Sequence, residues 1–252
     1  NVINEAALLA ARRNKRVIGM EDLEDAKDKV MMGAERRSMA MSDDEKKLTA
    51  YHEAGHAIVS LHEPECDPIH KATIVPRGGA LGMVMSLPEG DRYSFSRAKM
   101  IAKMAMTMGG RAAEEITFGK DHVTSGASSD IQYASSLARA MVMEWGLNDE
   151  IGMVNFGDDP NSYRARRIST AMSNKIDTEV KALIDNAYAR AMKCLTDNAK
   201  DYEKLAKALL EYETLSGEEI KALLRGEPII RGGDDDEVDV APRSSVPSSE
   251  PK

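Results

Sequence analysis

The sequence predicts a mainly α-helical protein with a small β-hairpin or sheet beside its helix over residues 42–61. Aromatic residues make up only 4% of the 252 residues while Met occurs 16 times, so the core is expected to be aliphatic, which favours helices. Apolar residues recur at helical spacing over most of the chain, whereas only short segments have the composition of strands. A content of 42% hydrophobic and 30% charged residues is typical of a globular protein.

Charge and cysteine content exclude several classes of function. A net charge of −8 argues against nucleic acid as a partner, because phosphate-binding domains usually carry a basic excess. Two cysteines, Cys66 and Cys194, do not make a disulfide framework and fit a reducing compartment.

We find no signal peptide and no apolar run of about 18 residues, so we expect this chain to be soluble as it stands. Asn1 stands where a starting Met is expected, which indicates a piece of a longer protein.

The first third of the chain contains the best-marked elements. The pattern predicts helices over 2–12, 21–31 and 42–61, then strands over 72–75 and 82–87 around a turn at 76–79. The third helix is the most strongly signalled, because Ser42 and Glu45 form a capping box at its start. Pro64 prevents its continuation.

The rest of the chain is predicted to be helices separated by glycines. We expect a helix from Ser94 or Ser96 to about Gly109-Gly110, helices over 111–118 and 130–145, a small strand over 151–156, and helical structure over 169–224 with a break at Leu215-Ser216-Gly217. Gly146 is placed as the residue that ends the helix over 130–145. The acidic and Pro- and Ser-rich tail, residues 231–252, is expected to be disordered.

His52-Glu53-Ala54-Gly55-His56 is an H-E-x-x-H motif inside the predicted helix over 42–61. Residues i and i+4 lie on one helix face, so the two imidazoles can bind one zinc ion. Glu53 can then take a proton from a zinc-activated water that attacks a peptide bond. The motif therefore predicts a zinc endopeptidase with His52 and His56 as ligands and Glu53 as general base. Two solvated histidines are the simpler interpretation, but the capped and partly apolar helix disfavours it.

A catalytic zinc site needs a third protein ligand. His62 has the spacing of the long metzincin motif, but Val59 replaces the glycine that lets the chain turn back, and a continuing helix would place His62 about 9 Å along the axis from His56. We therefore expect His62 to be a surface residue. The remaining candidates are Glu114, Glu115 and Asp130, and spacing alone does not choose between them.

Several motifs in register resemble the FtsH family of ATP-dependent, membrane-anchored AAA zinc metalloproteases. They cover about residues 1–225 and are NEAAL (4–8), MMGAERR (31–37), HEAGH (52–56), IVPRG (74–78), LPEGD (87–91), GGRAAEE (109–115) and TSGASSD (124–130). The resemblance implies that Asp130 is the third zinc ligand. Glu114 and Glu115 then become partners of a ligand histidine or structural residues.

The resemblance also implies a larger assembly. Residues 1–33 would be the end of an AAA ATPase helical subdomain, 34–230 the zinc metallopeptidase domain, and 231–252 the tail. ATP and Mg²⁺ would bind only in an upstream ATPase module, since no Walker-type motif is present here. The intact protein would be a homo-hexamer on the cytoplasmic side of the cell inner membrane, held there by upstream segments. Its substrates would be unfolded polypeptides from misfolded or short-lived membrane and cytoplasmic proteins.

Two other functions compete with this interpretation. One is a catalytically silent helical oligomerisation module with a structural zinc, which would need neither Glu53 nor an open coordination position. The other is a stand-alone thermolysin-like peptidase that uses Glu114 or Glu115. The strand over 82–87 is a candidate edge for an extended substrate, although it could equally be an ordinary hairpin strand.

Overall fold

A computed structural model describes residues 1–36, 39, 41–88, 90, 94–157 and 168–229. Within these residues the helices are α1 (Val2–Arg12), α2 (Met20–Met32), α3 (Asp43–His62), α4 (Arg97–Phe118), α5 (Ser128–Met143), α6 (Thr170–Asp197), α7 (Ala199–Tyr212) and α8 (Gly217–Arg225). The strands are β1 (Ile69–Thr73), β2 (Met83–Ser86) and β3 (Thr214–Ser216). The predicted fold class, mainly helical with a small sheet, is confirmed. The tail over 231–252 lies outside the described residues.

Side-chain caps start the helices that carry the site and its support. The Ser42 hydroxyl accepts from the Glu45 amide at 3.2 Å, and the Glu45 carboxylate accepts from the Ser42 amide at 3.2 Å. This reciprocal pair is the predicted capping box and fixes the start of α3. Ser96, one of the two predicted caps, accepts from the Lys99 amide at 3.1 Å and starts α4.

The three strands form an antiparallel sheet in the order β2-β1-β3. Ala72 pairs with Val84 of β2 on one side and with Leu215 of β3 on the other. The predicted hairpin is thus present, but β1 begins three residues earlier than expected. β3 was not anticipated, although the break in helical structure at Leu215-Ser216-Gly217 was predicted correctly.

Helices α3 and α4 pack at van der Waals distance through glycine. A Cβ atom added to Gly55 would lie 2.4 Å from the Gly109 carbonyl oxygen and 2.5 Å from the Ala113 Cβ. Because neither helix carries a side chain at this point, their backbones approach as closely as sterics allow. The apolar core continues from this contact into α5, α6 and α7, with Ile58, Met104, Met141 and Leu205 all fully buried.

Two predictions for individual elements are wrong, and a third is incomplete. Gly109 and Gly110 do not end a helix, because α4 runs through both of them to Phe118. The glycines are tolerated there since the contact with α3 offsets their low helix propensity. Residues 151–156 form turns and loop instead of a strand, and the predicted helical stretch over 169–224 is also interrupted at Asn198, between α6 and α7.

The N-terminal helices are tied to the sheet by polar contacts. Lys71 of β1 donates to Asp28 of α2, and Arg77 donates to Glu35 in the segment that follows α2. Glu35 and Arg77 also form an isolated antiparallel β-bridge. In the described part of the chain, every helix is too short or too polar to span a membrane.

Candidate metal centre

Helix α3 presents both motif histidines to the same point. His52 and His56 are one turn apart, and their Nε2 atoms lie 3.1 Å from each other. Asp130, in the first turn of α5, brings Oδ2 to 3.1 Å from the His52 Nε2 and 3.3 Å from the His56 Nε2. Among the described residues, these three form the cluster with the spacing of a metal site. The structure thus brings together the three residues predicted as ligands.

The other ring nitrogen of each histidine has an acceptor as its partner. The Nδ1 of His52 donates to Glu114 Oε1 at 2.8 Å, and the Nδ1 of His56 donates to the Met106 carbonyl oxygen at 2.8 Å. Both rings are thereby fixed in orientation, and a neutral imidazole keeps its lone pair on Nε2. Two nitrogen lone pairs and one carboxylate oxygen therefore face each other.

This donor set fits zinc. Ligand atoms at about 2.05 Å from a tetrahedral zinc are about 3.3 Å apart, which matches the 3.1–3.3 Å separations here. Gly110 provides the space, because an added Cβ would lie 2.4 Å from the Nε2 of His52 and 2.6 Å from the Nε2 of His56. Two imidazoles and one carboxylate also leave a coordination position open, as catalytic zinc sites do.

The electrostatics of the cluster favour a positive charge. Burial disfavours the imidazolium of His52, but hydrogen bonds to Asp130 and Glu114 outweigh it and raise the pKa of His52 to about 10. Burial alone would raise the pKa of Asp130, yet hydrogen bonds from His52 and His56 hold it well below its ordinary value. A proton or a metal cation can supply the charge, so the two compete for this site.

Glu53 lies on the same helix at the floor of an open cleft of about 730 Å³. Its side chain is 5% exposed, and burial raises the pKa of its carboxyl above the ordinary value. Gly82 packs against it, since an added Cβ would be 2.7 Å from the Glu53 Oε1. A buried carboxylate with a raised pKa beside a candidate metal site has the properties of a general base.

The cleft connects the cluster to the sheet. Its walls come from α3, α4, the segment before α5, and the segment 79–84 that leads into β2. In the sheet formed by the described residues, β2 is an end strand, so its outer side faces away from β1. The cleft thus reaches an end strand of the sheet.

The other candidate ligands lie elsewhere. His62 is exposed at the end of α3, and its Nδ1 donates to the Ile58 carbonyl oxygen at 2.9 Å. Glu115 faces α6, where it accepts from the Tyr188 hydroxyl. Glu114 contacts the outer nitrogen of His52 instead of the cluster itself.

Sequence reasoning missed three contributors to this site. The role of the Met106 carbonyl cannot be recognised in a sequence, because every residue has a backbone carbonyl. Gly110 has a low helix propensity and so predicts a helix end, although a glycine pair inside a helical pattern also signals close packing. Gly82 was placed at the start of a strand without its contact to Glu53, which only the tertiary structure reveals.

Comparison with known proteins gives consistent results. The sequence profile described as Peptidase family M41 matches residues 39–223. Proteins named ATP-dependent zinc metalloprotease FtsH are similar to this chain. That of Caulobacter vibrioides is 56% identical over 256 residues, covering 99% of this chain and 41% of the relative. That of Neorickettsia risticii is 55% identical over 238 residues, covering 94% and 37%, respectively. The chain thus spans about two fifths of the length of these curated relatives.

Proposed function

Since the chain belongs to peptidase family M41, we propose that it is the zinc-dependent endopeptidase part of an ATP-dependent protease. The observation that carries this proposal is the convergence of His52, His56 and Asp130 beside the buried Glu53 in an open cleft. The name shared by the relatives, ATP-dependent zinc metalloprotease, supports the same function. No comparison favours the silent oligomerisation module.

The proposed ligands are the Nε2 atoms of His52 and His56 and the Oδ2 of Asp130. When bound, zinc supplies a Lewis acid that lowers the pKa of a water molecule towards 7 and polarises a peptide carbonyl. Glu114 and the Met106 carbonyl hold the two rings so that their Nε2 lone pairs point at one place. This fixed orientation is the contribution of the protein to the strength of the site.

Glu53 is the proposed general base. Its carboxylate takes the proton of the attacking water and later returns it to the nitrogen of the departing amine. Burial makes the carboxylate more basic than an exposed one, which suits this role. Gly82 allows the rim of the cleft to pack onto Glu53 and exclude bulk water from it.

The cleft reaches the end strand β2, which suits a substrate that binds as an extended polypeptide. We assign the polypeptide to an extended conformation along β2, where main-chain hydrogen bonds would bind it independently of its sequence. Val84→Pro removes one backbone donor from this strand, whereas Val84→Ala keeps the donor and serves as the control. Weaker peptide binding in the proline variant alone would support pairing through that donor. Equal binding in both variants would rule it out.

The assignment of this chain to a longer protein rests on its relatives and on the resemblance to the FtsH family. Residues 1–33 would belong to an ATPase module that binds ATP and Mg²⁺, 34–230 to the peptidase domain, and 231–252 to the tail. The intact protein would be a membrane-anchored homo-hexamer at the inner membrane that takes unfolded polypeptides. The identity of 55–56% to two relatives named as ATP-dependent, over 94–99% of this chain, supports this placement.

The test is cleavage of a short unstructured peptide by the zinc-loaded chain and by its Glu53→Gln variant. A short peptide needs no unfolding, so an ATPase is not required. We expect the variant to bind zinc normally and to lose activity by about 10²- to 10⁴-fold. Equal cleavage by both proteins would refute the role of Glu53. Retention of tight zinc binding by Asp130→Ala would favour a thermolysin-like ligand set instead.

A further inference from the structure

Glu114 uses its two carboxylate oxygens for two different parts of the site. The side chain is 1% exposed, and its Oε1 accepts from the Nδ1 of His52 at 2.8 Å. Its Oε2 accepts from the amide of Thr124 at 2.8 Å and from the hydroxyl of Thr124 at 3.1 Å. One buried carboxylate therefore joins helix α3 to the segment that precedes α5.

Thr124 begins the segment that delivers Asp130. Its hydroxyl donates to Glu114 and accepts from the Gly126 amide at 3.1 Å, so both capacities of the hydroxyl are used. Ala127, further along the same segment, is fully buried, and α5 begins one residue later. Asp130 lies in the first turn of that helix, so the position of Thr124 limits where its carboxylate can lie.

We propose that Thr124 is a positioning residue for the metal centre. It fixes the Glu114 carboxylate, and through that carboxylate it sets both the orientation of His52 and the course of the segment that carries Asp130. Two of the three proposed ligands are thus coupled through one side chain that is not itself a proposed ligand. The identity of the metal rests on the proposed function, but the coupling itself is a property of the chain.

Thr124→Val isolates the effect of the hydroxyl by removing it. Valine keeps the volume and branching of threonine, yet it leaves the Gly126 amide without its acceptor and Glu114 Oε2 with one donor fewer. Thr124→Ser restores the hydroxyl and is the rescue variant. Thr117→Val is the matched control, because Thr117 is a similarly half-buried residue whose hydroxyl bonds to the Tyr202 hydroxyl at 2.7 Å, away from the cluster.

The first readout uses metal-free protein and nuclear magnetic resonance. We expect Thr124→Val to speed hydrogen exchange of the amides over 124–130 and to shift the ring-nitrogen resonances of His52. Thr124→Ser and Thr117→Val should retain the parent values. Unchanged exchange and unchanged His52 resonances in Thr124→Val would overturn the proposal, whether or not the chain binds zinc.

The second readout is zinc affinity, measured by competition with a chromophoric chelator. Loss of a partner that orients a ligand typically costs about 10- to 100-fold in affinity. Because Thr124 acts through Glu114, we expect about tenfold weaker zinc binding in Thr124→Val and a larger loss in Glu114→Gln. Parent affinity in Thr124→Val would contradict the proposal. An unmodified chain that binds no zinc would instead refute the proposed function, and the exchange data would still decide on the coupling.

Discussion

Two pairs of helices, α1–α2 at the start of the chain and α3–α4 at the metal centre, are held together by different kinds of contact. The apolar residues that α1 and α2 bury are three alanines and Met32, while Ile3 is 71% exposed and Met20 is 73% exposed. The buried Asp22 of α2 accepts hydrogen bonds from the segment that connects the two helices. Helices α3 and α4 instead meet through glycine with no room for a methyl group.

The difference shows how the two regions tolerate change. Polar contacts weaken gradually with pH and salt, whereas a close backbone contact responds to a single added carbon atom. The metal centre is built on the second kind of contact, which holds its side chains to the tight tolerance that metal binding requires. The predictions that follow test this contrast, beginning with the largest effect.

Gly55→Ala is expected to have the largest effect. The added methyl would overlap the Gly109 carbonyl oxygen and the Ala113 Cβ, so α3 and α4 must separate. We expect the free energy of unfolding to fall by about 3 kcal/mol, since overpacking at this severity outweighs the helix-propensity gain of about 1 kcal/mol. Chemical denaturation measures the change. Gly79→Ala, where an added Cβ meets nothing within 4 Å, is the control for stability. A similar stability for both variants would show that the contact is not tight.

Gly110→Ala should damage the metal centre more than the fold. Its methyl would point at the two Nε2 atoms rather than at backbone. We expect zinc affinity to fall by more than about 100-fold, beyond the usual effect of losing a ligand's partner. The thermal unfolding temperature of the metal-free protein should change little. Parent zinc affinity in this variant would place the metal away from Gly110.

Asp22→Asn tests the polar pair of helices. The Asp22 carboxylate accepts from the Gly19 amide at 3.0 Å, from Arg13 at 3.1 Å and from Lys15 at 3.3 Å. The Gly19 hydrogen bond is the main cause that lowers the pKa of Asp22 below 3.8, with Lys15 and Arg13 adding to it. Stability from a carboxyl with a lowered pKa is fully present above the unfolded-state value and is lost as the pH falls through the folded-state value.

We therefore expect Asp22→Asn to reduce hydrogen-exchange protection in α1 and α2 at pH 6, with little change in α3 and α4. Below pH 4 the difference between the variant and the parent chain should shrink. Metal-free protein is used at both pH values so that zinc release does not intervene. A difference that stays the same at low pH would show that the charge of Asp22 is not responsible.

The smallest effect is expected from an exposed ion pair. Lys181 and Asp185 form an i,i+4 pair on α6, with both side chains mostly in solvent. Lys181→Ala should change the free energy of unfolding by less than about 0.5 kcal/mol, because solvent screens such pairs. A loss as large as that of Gly55→Ala would mean that packing is not what distinguishes the metal centre.

Local signals in the sequence predicted part of this site well. The capping box at Ser42 and the i,i+4 spacing of His52 and His56 depend on neighbouring residues, so the start of α3 and its shared face could be predicted. The proposed third ligand could not be derived that way. Glu114 and Asp130 lie 62 and 78 residues after His52, and only the packing of α4 and α5 against α3 places one beside the outer ring nitrogen and the other at the cluster.

The wrong predictions for the fold have the same origin, because these elements also depend on tertiary contacts. Gly109 and Gly110 disfavour a helix locally, but contact with α3 and the histidine rings stabilises one there. β3 is three residues long and exists because β1 offers it a partner, which no local pattern reveals. Residues 151–156 have strand composition but no strand partner in the described part of the chain.

X-ray absorption at the zinc edge tests the central claim most directly. We predict a first coordination shell of nitrogen and oxygen atoms only, with the scattering of two imidazoles and no sulfur. Asp130→Ala leaves only two protein ligands, so this variant should lose its tightly bound zinc and with it the two-imidazole spectrum. A sulfur ligand, from Cys66 or Cys194, or a third imidazole, from His62 or His122, would contradict the assignment of zinc to His52, His56 and Asp130.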